Sequence, residues 1–241
     1  PERVHIYKVE SPVKDKLESL GRLLRSLGET STIVFLNYRD SVERTNNYLV
    51  DQGFSTSFFH GGLEQKEREA SLYRFSNGSA NILVSTDLAS RGLDIPDIDN
   101  IIHYHIPESE DGYIHRVGRT ARWEAQGRAF FLLGPEEHIP EYVDAEVEEY
   151  EIPAVEELPA PAKPKMATLY IGKGKKDKIS KGDILGFLCK KGGLNSSEIG
   201  KIDVNDRYAY AAIARPKLKS VLNNVKGEKI KGVKTIVEEV R

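Results

Sequence analysis

Short runs of β-branched and aromatic residues alternate with helix-like patterns along the first 134 residues of the chain. The runs predict strands at 32–38, 55–60, 81–86, 101–106 and 128–133, and the other patterns predict helices at 13–27, 40–52 and 63–75. In the second of these helices Val42, Leu49 and Val50 are expected to face the core. Strands separated by helices predict an α/β fold with a parallel sheet and helices on both faces.

The last part of the chain follows a different order. From residue 166 the pattern predicts a strand at 168–172, a helix at 181–192, strands at 199–205 and 208–214, a helix at 216–227 and a strand at 234–240. The order βαββαβ is that of the split βαβ sandwich, which is a smaller α+β domain.

The segment between these two parts is acidic and then rich in proline and alanine. Residues from 135 onward predict an acidic helix, whereas "PAPAKPK" predicts an extended, semi-rigid linker. We therefore predict a first domain at 1–150, a linker at 151–165 and a second domain at 166–241.

Charge is distributed unevenly among these segments. Residues 1–134 carry a net charge of −3, residues 135–165 carry −8 and residues 166–241 carry +9. A basic domain after a nearly neutral one favours a polyanionic partner for the basic domain. The alternative is a surface of solvated lysines.

Composition narrows the class of protein. The chain is 39% apolar and 30% charged, which is typical of a soluble globular protein. No apolar run approaches the roughly 20 residues that span a bilayer, and no secretory leader is recognisable, so no membrane partner is predicted. The single cysteine, Cys189, indicates a reducing compartment, and we predict a cytoplasmic protein. Because the first residue is Pro1, we expect a piece of a longer protein.

The segment "YIHRVGRTAR", residues 113–122, concentrates positive charge. Arg119 and Arg122 are three positions apart and would share one face of a helix. A guanidinium pair at the end of a parallel sheet suits a multiply charged phosphate group. A helix face that forms salt bridges with nearby carboxylates is the alternative.

Two further segments follow predicted strands directly. In "STDLASRGLDIP", Thr86 can donate to a phosphate, Gly92 permits a sharp turn and Asp94 can accept from a ribose hydroxyl. In "HGGLEQKER", glycines including Gly62 expose backbone amides at a helix start, and Arg68 lies one turn further on. Taken singly, these residues are also compatible with an ordinary turn and a solvated arginine.

The basic domain offers two candidate RNA surfaces. Tyr170, Tyr208 and Tyr210 would lie on one open sheet face if the aliphatic residues between them pack on the helices, and an open sheet with aromatic rings is an RNA-recognition design. The pattern is equally compatible with tyrosines that stack on bases and with tyrosines that only cover a half-exposed sheet face. The second surface is a loop with five lysines: Lys173, Lys175, Lys176, Lys178 and Lys181. It leads into a helix start, where phosphates bind well, although a solvated loop is the alternative.

The four segments "IVFLNYRDSVE", "HGGLEQKERE", "STDLASRGLDIP" and "YIHRVGRTAR" together resemble the motifs of the second RecA-like domain of DEAD-box RNA helicases. The resemblance covers residues 1 to about 150. It implies that Arg119 and Arg122 act as arginine fingers on ATP, that Asp94 and Gly92 lie at the nucleotide, and that His115 couples the ATP and RNA sites. It also implies that Gly62, Arg68 and Thr86 hold the RNA backbone.

The same resemblance implies lesser roles for other residues and shows two departures. Phe35 would pack beside the arginines, although burial in the core is an equally good reading of this residue. Arg116 and Arg91 would be interdomain salt-bridge partners. The family usually has glycine at Ala121 and often has threonine at Tyr38.

Essential parts of an ATPase are absent from the sequence. It contains neither a G-x-x-x-x-G-K-[ST] phosphate loop nor a Asp-Glu-Ala-Asp segment for magnesium. Because phosphoryl transfer needs those parts, we predict that ATP and Mg²⁺ are bound mainly by a missing first RecA-like domain, a partner in cis, and that this chain alone is inactive. A non-enzymatic RNA-binding protein with a vestigial helicase domain and a DNA helicase are the alternatives.

Residues 166–241 resemble the RNA-binding domain of DbpA-type DEAD-box helicases, through "GKKDKISKGDILGFL", "SEIGKIDVNDRYAYAAI" and "KIKGVK". The resemblance implies an RRM-like fold that recognises structured RNA. It points to large-subunit ribosomal RNA and to a role in ribosome assembly.

Overall fold

The computed structural model describes residues 4–87, 95, 97–120 and 126–241. The chain divides into two compact units. The first comprises Pro1–Phe75 and Asn81–Lys163, and the second comprises Ser76–Ala80 and Pro164–Arg241. None of the helices in the described part of the chain is long and apolar enough to cross a membrane.

The first unit is built on a seven-stranded sheet. Its strands are β1 (Val4–Glu10), β2 (Thr32–Phe35), β3 (Thr56–Phe59), β4 (Ile82–Ser85), β5 (Asn100–His103), β6 (Gly127–Leu133) and β7 (Val147–Glu149). They lie in the order β3-β4-β2-β5-β6-β1-β7, and every pair is parallel. All strands therefore end at the same edge of the sheet, which is called the carboxyl edge below.

In the described residues, four helices cover this sheet: α1 (Leu17–Leu27), α2 (Arg39–Asp51), α3 (Gln65–Ser76) and α4 (Glu110–Val117). Alternate residues of each central strand point to opposite faces, so Val34 lies in the apolar cluster with α1 and α2, while Ile33 lies in the cluster with Phe75 of α3 and Val117 of α4. The predicted parallel sheet with helices on both faces is confirmed.

Three details differ from the sequence prediction. The acidic stretch after residue 135 forms no α-helix, because Pro135, Pro140 and Pro153 interrupt it; instead, β7 pairs with β1 and a 3₁₀ turn spans Val155–Glu157. Strand β1 itself was not predicted. Val50 is 52% exposed, so the expectation that it faces the core is wrong.

The second unit has a four-stranded antiparallel sheet in the order β13-β8-β10-β9. Its elements are β8 (Met166–Ile171), α5 (Lys181–Lys190), β9 (Ile199–Val204), β10 (Ala209–Ala214), α6 (Leu218–Val225), the hairpin β11 (Lys229–Ile230) and β12 (Val233–Lys234), and β13 (Val237–Glu239). The predicted βαββαβ order is confirmed, with the hairpin as an addition. Its core packs aliphatic residues of β8 and β10 against α5 and α6.

Candidate nucleotide and RNA interface

Three turns with candidate site residues meet at the carboxyl edge. Phe35 at the end of β2 and Phe59 at the end of β3 both pair with Ser85 at the end of β4. The residues that follow, namely Tyr38 after β2, the His60–Gly62 turn after β3 and Thr86 after β4, are therefore neighbours. The sheet thus places the turns that carry Gly62 and Thr86 side by side, and their contact with RNA stays a prediction.

The glycine turn after β3 is organised by a buried histidine. The amide of Gly62 donates to His60 Nδ1 at 3.0 Å, so this nitrogen is the acceptor and His60 Nε2 carries the proton toward Glu43 Oε1, 3.2 Å away. The Gly62 amide, assigned to an RNA phosphate from the sequence, is hydrogen-bonded to this imidazole in the structure.

Arg39, the first residue of α2, is a candidate site residue that the sequence reasoning did not single out. A Cβ atom placed on Gly61 would lie 2.9 Å from Arg39 Nη2, and one on Gly62 would lie 3.4 Å from Nη1. The exposed guanidinium therefore lies directly against the glycine turn, where it would clash with a side chain. The only sequence signal was its place in the motif that follows β2.

Arg68 and Thr86 flank the same turn. Arg68, in the first part of α3, is half-buried and donates from Nη2 to Gln65 Oε1 at 3.0 Å. Thr86 is half-buried, and its amide donates to the carbonyl of Phe59 at 3.3 Å. These contacts hold a hydroxyl and a guanidinium at the edge where the glycine turn and Arg39 lie.

Arg116 of α4 is fully enclosed beneath this edge. Its side chain is 1% exposed and donates from Nε to Asp87 Oδ1 at 2.6 Å, from Nη2 to Asn37 Oδ1 at 2.6 Å and from Nη1 to the His105 carbonyl at 2.8 Å. Nη1 also lies 3.3 Å from His103 Nδ1. One guanidinium thus joins the ends of β2, β4 and β5 to α4. The expectation that Arg116 is an interdomain salt-bridge partner is wrong, because its donors are taken by groups of its own unit.

Two histidines beside Arg116 are held in the neutral form. Burial is the main reason that the pKa of His103 lies well below 6.5, and the charge of Arg116 lowers it further. Burial, followed by the charge of Lys16, lowers the pKa of His105 to about 4. Since His105 Nδ1 accepts the Asn37 amide at 2.9 Å, the neutral ring is also fixed in orientation.

His115, predicted to couple the ATP and RNA sites, lies in the last turn of α4, whereas Arg119, predicted to meet ATP, lies in the turn after the helix and not on a helix face. His115 is exposed and Arg119 is half-buried. The Arg119 amide donates to the Arg116 carbonyl at 3.2 Å, and its own carbonyl accepts from Ile98 at 3.0 Å, so its backbone is fixed on both sides. Phe35 is 1% exposed and lies in the apolar core, where the Arg116 guanidinium carbon is 5.2 Å from its ring centre. Its packing beside Arg119 and Arg122 stays a prediction.

Several predicted residues lie outside the described part of the chain. These are Arg91, Gly92, Asp94, Ala121 and Arg122. Their roles at the nucleotide and between the domains therefore stay predictions.

A second buried cation, Lys16, was also missed. Its Nζ donates to the carbonyl of Tyr104, to the carbonyl of Leu132 at 2.9 Å and to Glu137 Oε1 at 2.7 Å. Burial lowers the pKa of Lys16, and Glu137 opposes that effect. Lys16 thereby ties together the ends of β5 and β6, and nothing in its local sequence distinguished it from a surface lysine.

In the second unit, the three tyrosines share the sheet face opposite the core, as predicted. Tyr170 and Tyr208 stack with ring centres 5.9 Å apart, and Tyr210 meets Tyr170 at 5.9 Å and Tyr208 at 5.6 Å. Tyr170 and Tyr208 are half-buried, but Tyr210 is only 3% exposed. Tyr170 and Tyr208 therefore offer more exposed ring surface for a stacking base than Tyr210 does.

The lysine loop, residues 172–181, is locked to the turn after β9. The amides of Lys175 and Lys176 donate to the carbonyls of Asn205 and Asp206, each at 2.9 Å. Gly174 permits this approach, since a Cβ there would lie 2.1 Å from the Asn205 oxygen. The loop that carries the lysines is therefore a fixed surface.

The lysine side chains of this loop project outward. Lys175, Lys176, Lys178 and Lys181 are exposed, and Lys173 is half-buried. Lys176 lies 3.8 Å from Asp206, whereas no carboxylate of the described residues lies within ion-pair distance of the other four. Four ammonium groups are therefore available to a polyanion.

The start of α5 is already capped by its own side chains. Ser180 Oγ accepts from the Asp183 amide at 3.1 Å, and Asp183 Oδ2 accepts from the Ser180 amide at 2.8 Å. The negative charge at Asp183 makes this helix start a poor phosphate site. The lysines, rather than the helix terminus, would therefore contact a phosphate.

A groove of about 560 Å³ lies beside the lysine loop. It is lined by Lys175, Lys178, Ile179, Ser180, Lys181, Ile202 and Val204. Lysines at the rim and branched aliphatic residues in the wall would suit a nucleotide with its phosphate outward. In the described segments, no cluster of three or more His, Cys, Asp or Glu side chains is arranged to hold a metal ion.

Comparison with known protein families assigns both units. Residues 15–124 match the helicase conserved C-terminal domain, and residues 168–239 match the DbpA RNA binding domain. The chain is 35% identical over 227 residues to the ATP-dependent RNA helicase DbpA of Escherichia coli, covering 92% of this chain and 50% of that protein. It is 31% identical to DbpA of Bacillus subtilis, covering 91% of this chain and 51% of the relative.

A solved structure shows the same fold. The E. coli DEAD-box protein SrmB, bound to regulator of ribonuclease activity A, superposes with a TM-score of 0.57 at 28% identity, covering 68% of this chain and 100% of that one. The chain spans about half the length of the curated relatives it matches.

Proposed function

Because this chain consists of the second RecA-like domain of a DEAD-box RNA helicase followed by a DbpA-type RNA-binding domain, we propose that it is the motor-closing and RNA-anchoring half of an ATP-dependent RNA helicase. The observation that carries this proposal is the meeting of three strand-end turns with α4 at one edge of a parallel sheet. Ligands of such sheets bind beyond that edge.

The ATP side of the proposal rests on α4. Arg119 and Arg122 would reach the triphosphate when the first RecA-like domain presents it, with His115 between the ATP and RNA sites and Asp94 and Gly92 at the nucleotide. The buried Arg116 fixes α4, which ends two residues before Arg119, and this would pre-position the finger. Such a guanidinium raises the rate by stabilising charge in the transition state.

The first RecA-like domain, which is not part of this chain, would hold Mg²⁺ together with the phosphates of ATP. Magnesium supplies neutralisation of the phosphate charge when it is bound. The residues of this chain contribute arginines and no magnesium ligand to that arrangement in our proposal. Closure of the two RecA-like domains is then the switch that completes the site.

The RNA side of the proposal rests on the carboxyl edge and the second unit. Thr86, Arg68, the glycine turn and Arg39 would hold the sugar-phosphate backbone. The lysine loop, with four ammonium groups that have no carboxylate partner among the described residues, would anchor phosphates of a structured RNA. Tyr170 and Tyr208 are a second contact surface.

The cellular role follows from this anchoring. We propose that the RNA is a structured segment of large-subunit ribosomal RNA, that nearby duplex is opened locally, and that the activity serves ribosome assembly in the cytoplasm. The names of the DbpA relatives support the helicase part of this proposal. The identity of the RNA rests on the resemblance of the second unit to DbpA-type domains.

Hydrolysis assays test this proposal. This chain alone should release no phosphate from ATP, with or without ribosomal RNA, whereas the longer protein with its first RecA-like domain should hydrolyse ATP and respond to RNA. A longer protein that binds RNA but never hydrolyses ATP would instead favour an RNA-binding protein with a vestigial motor.

A further inference from the structure

Tyr38 is an exposed aromatic residue at one end of the line of candidate RNA contacts that runs from β2 across β4 to β3. It precedes α2, and 60% of its surface is exposed, which is among the largest exposures of any apolar or aromatic side chain described. Among the described residues, its ring contacts that of His105. Burial in the core therefore does not account for a tyrosine at this position.

The orientation of the Tyr38 ring is set by His105. The two ring centres are 5.5 Å apart and the planes meet at 62°, an edge-on contact. His105 is itself fixed, because its Nδ1 accepts the amide of Asn37 at 2.9 Å. Because 60% of Tyr38 is exposed, this contact leaves part of the ring open to solvent.

Groups proposed to contact phosphates lie at the neighbouring turns of the same edge. Arg39 is the next residue, and its guanidinium reaches the glycine turn after β3, while Thr86 follows the strand between. Neighbouring strands are about 4.8 Å apart, so the line from β2 across β4 to β3 is about 10 Å long. That length matches about three stacked nucleotides at 3.4 Å each.

We propose that Tyr38 forms a base-stacking subsite, in which one nucleobase of an RNA strand lies against the ring while Arg39 contacts the adjacent phosphate. The inference rests on the proposed function, since it requires RNA along the carboxyl edge. Stacking on a tyrosine ring is tolerant of sequence, because every base has a π-face. The subsite would thus strengthen binding of a single strand without selecting a base.

Site-specific photo-cross-linking tests the contact directly. The longer protein with its first RecA-like domain, in complex with a non-hydrolysable ATP analogue, is irradiated with a single-stranded RNA that carries one 5-iodouridine at successive positions. At one position the cross-linked peptide should contain residue 38. The Tyr38→Phe variant keeps the ring and should bind the same RNA within about 2-fold of the wild type. The Tyr38→Leu variant should bind about 5- to 150-fold more weakly, which is the loss of one stacked base.

A matched control uses the other end of the same helix. Val50 is 52% exposed at the end of α2, and Val50→Ala should leave RNA affinity unchanged. If Tyr38→Leu binds RNA as tightly as the wild type and no cross-link reaches residue 38 while RNA-stimulated ATP hydrolysis persists, the stacking subsite is refuted and the proposed function stands. If the wild-type protein neither binds RNA nor hydrolyses ATP, the proposed function itself fails.

Discussion

Arg116 and Asp87 are joined by a hydrogen bond of 2.6 Å from Nε to Oδ1, although one lies on α4 and the other follows β4. Asp87 is adjacent to Thr86, which we propose to contact RNA, and Arg116 is three residues before Arg119, which we propose to contact ATP. The same ion pair therefore connects the two proposed ligand surfaces. Its strength should influence both stability and coupling.

We predict that Arg116→Met lowers the free energy of unfolding of the first unit by about 3–5 kcal/mol, because it removes one partner of a buried charge network. Asp87→Asn should cost less, about 1–3 kcal/mol, since the Asp87 side chain is 53% exposed. Urea unfolding, monitored by hydrogen exchange in peptides of the parallel sheet, measures the free energy of unfolding of both variants.

The control for this experiment is an exposed pair in the same unit. Arg22 and Glu18 form an i,i+4 salt bridge of 2.8 Å on α1, with both side chains well exposed. Arg22→Met should change the free energy of unfolding by no more than about 0.5 kcal/mol. Equal effects of Arg22→Met and Arg116→Met would contradict the role of the buried network.

The second prediction concerns pH. The pKa of His105 is lowered from 6.5 to about 4 in the folded chain, so the unfolded chain binds more protons between these values. Stability should therefore fall as the pH falls from 6.5 toward 4. The His105 contribution is about 1–2 kcal/mol after allowance for solvent screening.

The variant His105→Asn isolates this contribution, because its side-chain oxygen can still accept the Asn37 amide. The difference in free energy of unfolding between wild type and variant should change with pH between 4 and 6.5 and be flat above 7. A difference that is constant throughout this range would show that His105 is not held neutral.

The third prediction concerns two glycines of the second unit. Gly174→Ala should destabilise that unit by about 1–3 kcal/mol, because the new Cβ would lie 2.1 Å from the carbonyl oxygen of Asn205. Gly186 in α5 has nothing within 4 Å of its Cβ position, so Gly186→Ala should be neutral or should stabilise the unit by up to about 1 kcal/mol. Thermal unfolding followed by circular dichroism compares them, and similar melting temperatures would refute the locked loop.

The fourth prediction separates the two RNA surfaces of the second unit. Lys175→Ala and Lys178→Ala should each reduce the slope of log affinity against log salt by about 0.7–0.9, as expected for one lost phosphate contact. Lys219→Ala, at an exposed position of α6, serves as the control and should leave the slope unchanged.

Loss of a tyrosine ring should act differently. If a base stacks on Tyr170, Tyr170→Leu weakens binding of a ribosomal RNA hairpin by about 1–3 kcal/mol at every salt concentration. Full affinity in Tyr170→Leu, together with reduced slopes in the lysine variants, would place the anchor in the lysine loop alone.

The sequence was sufficient for the elements whose patterns are strong. Period-two and period-3.6 patterns placed the central strands and the helices, and the turns that follow β2, β3 and β4 meet as predicted because parallel strands end at one edge. The prediction of a helix in the acidic segment was wrong because it gave more weight to the helix propensity of the glutamates than to the prolines. It also did not consider that β1 has an edge with which β7 can pair.

Residue environments were harder to predict than elements. Arg116 and Lys16 look like surface cations in the sequence, and they are buried only because carbonyls and carboxylates from distant strands converge on them. Tyr210 alternates correctly with the core residues of β10, yet its 3% exposure depends on tertiary neighbours that alternation does not reveal. Contacts of this kind arise from topology, which local pattern does not contain.

The proposed arginine finger is tested most directly by ATP hydrolysis in the longer protein with its first RecA-like domain. Arg119→Lys keeps the charge and removes the planar guanidinium, so RNA-stimulated kcat should fall by about 10³-fold or more while RNA affinity stays within about 2-fold. An Arg119→Lys protein that hydrolyses ATP at close to the wild-type rate would contradict the account.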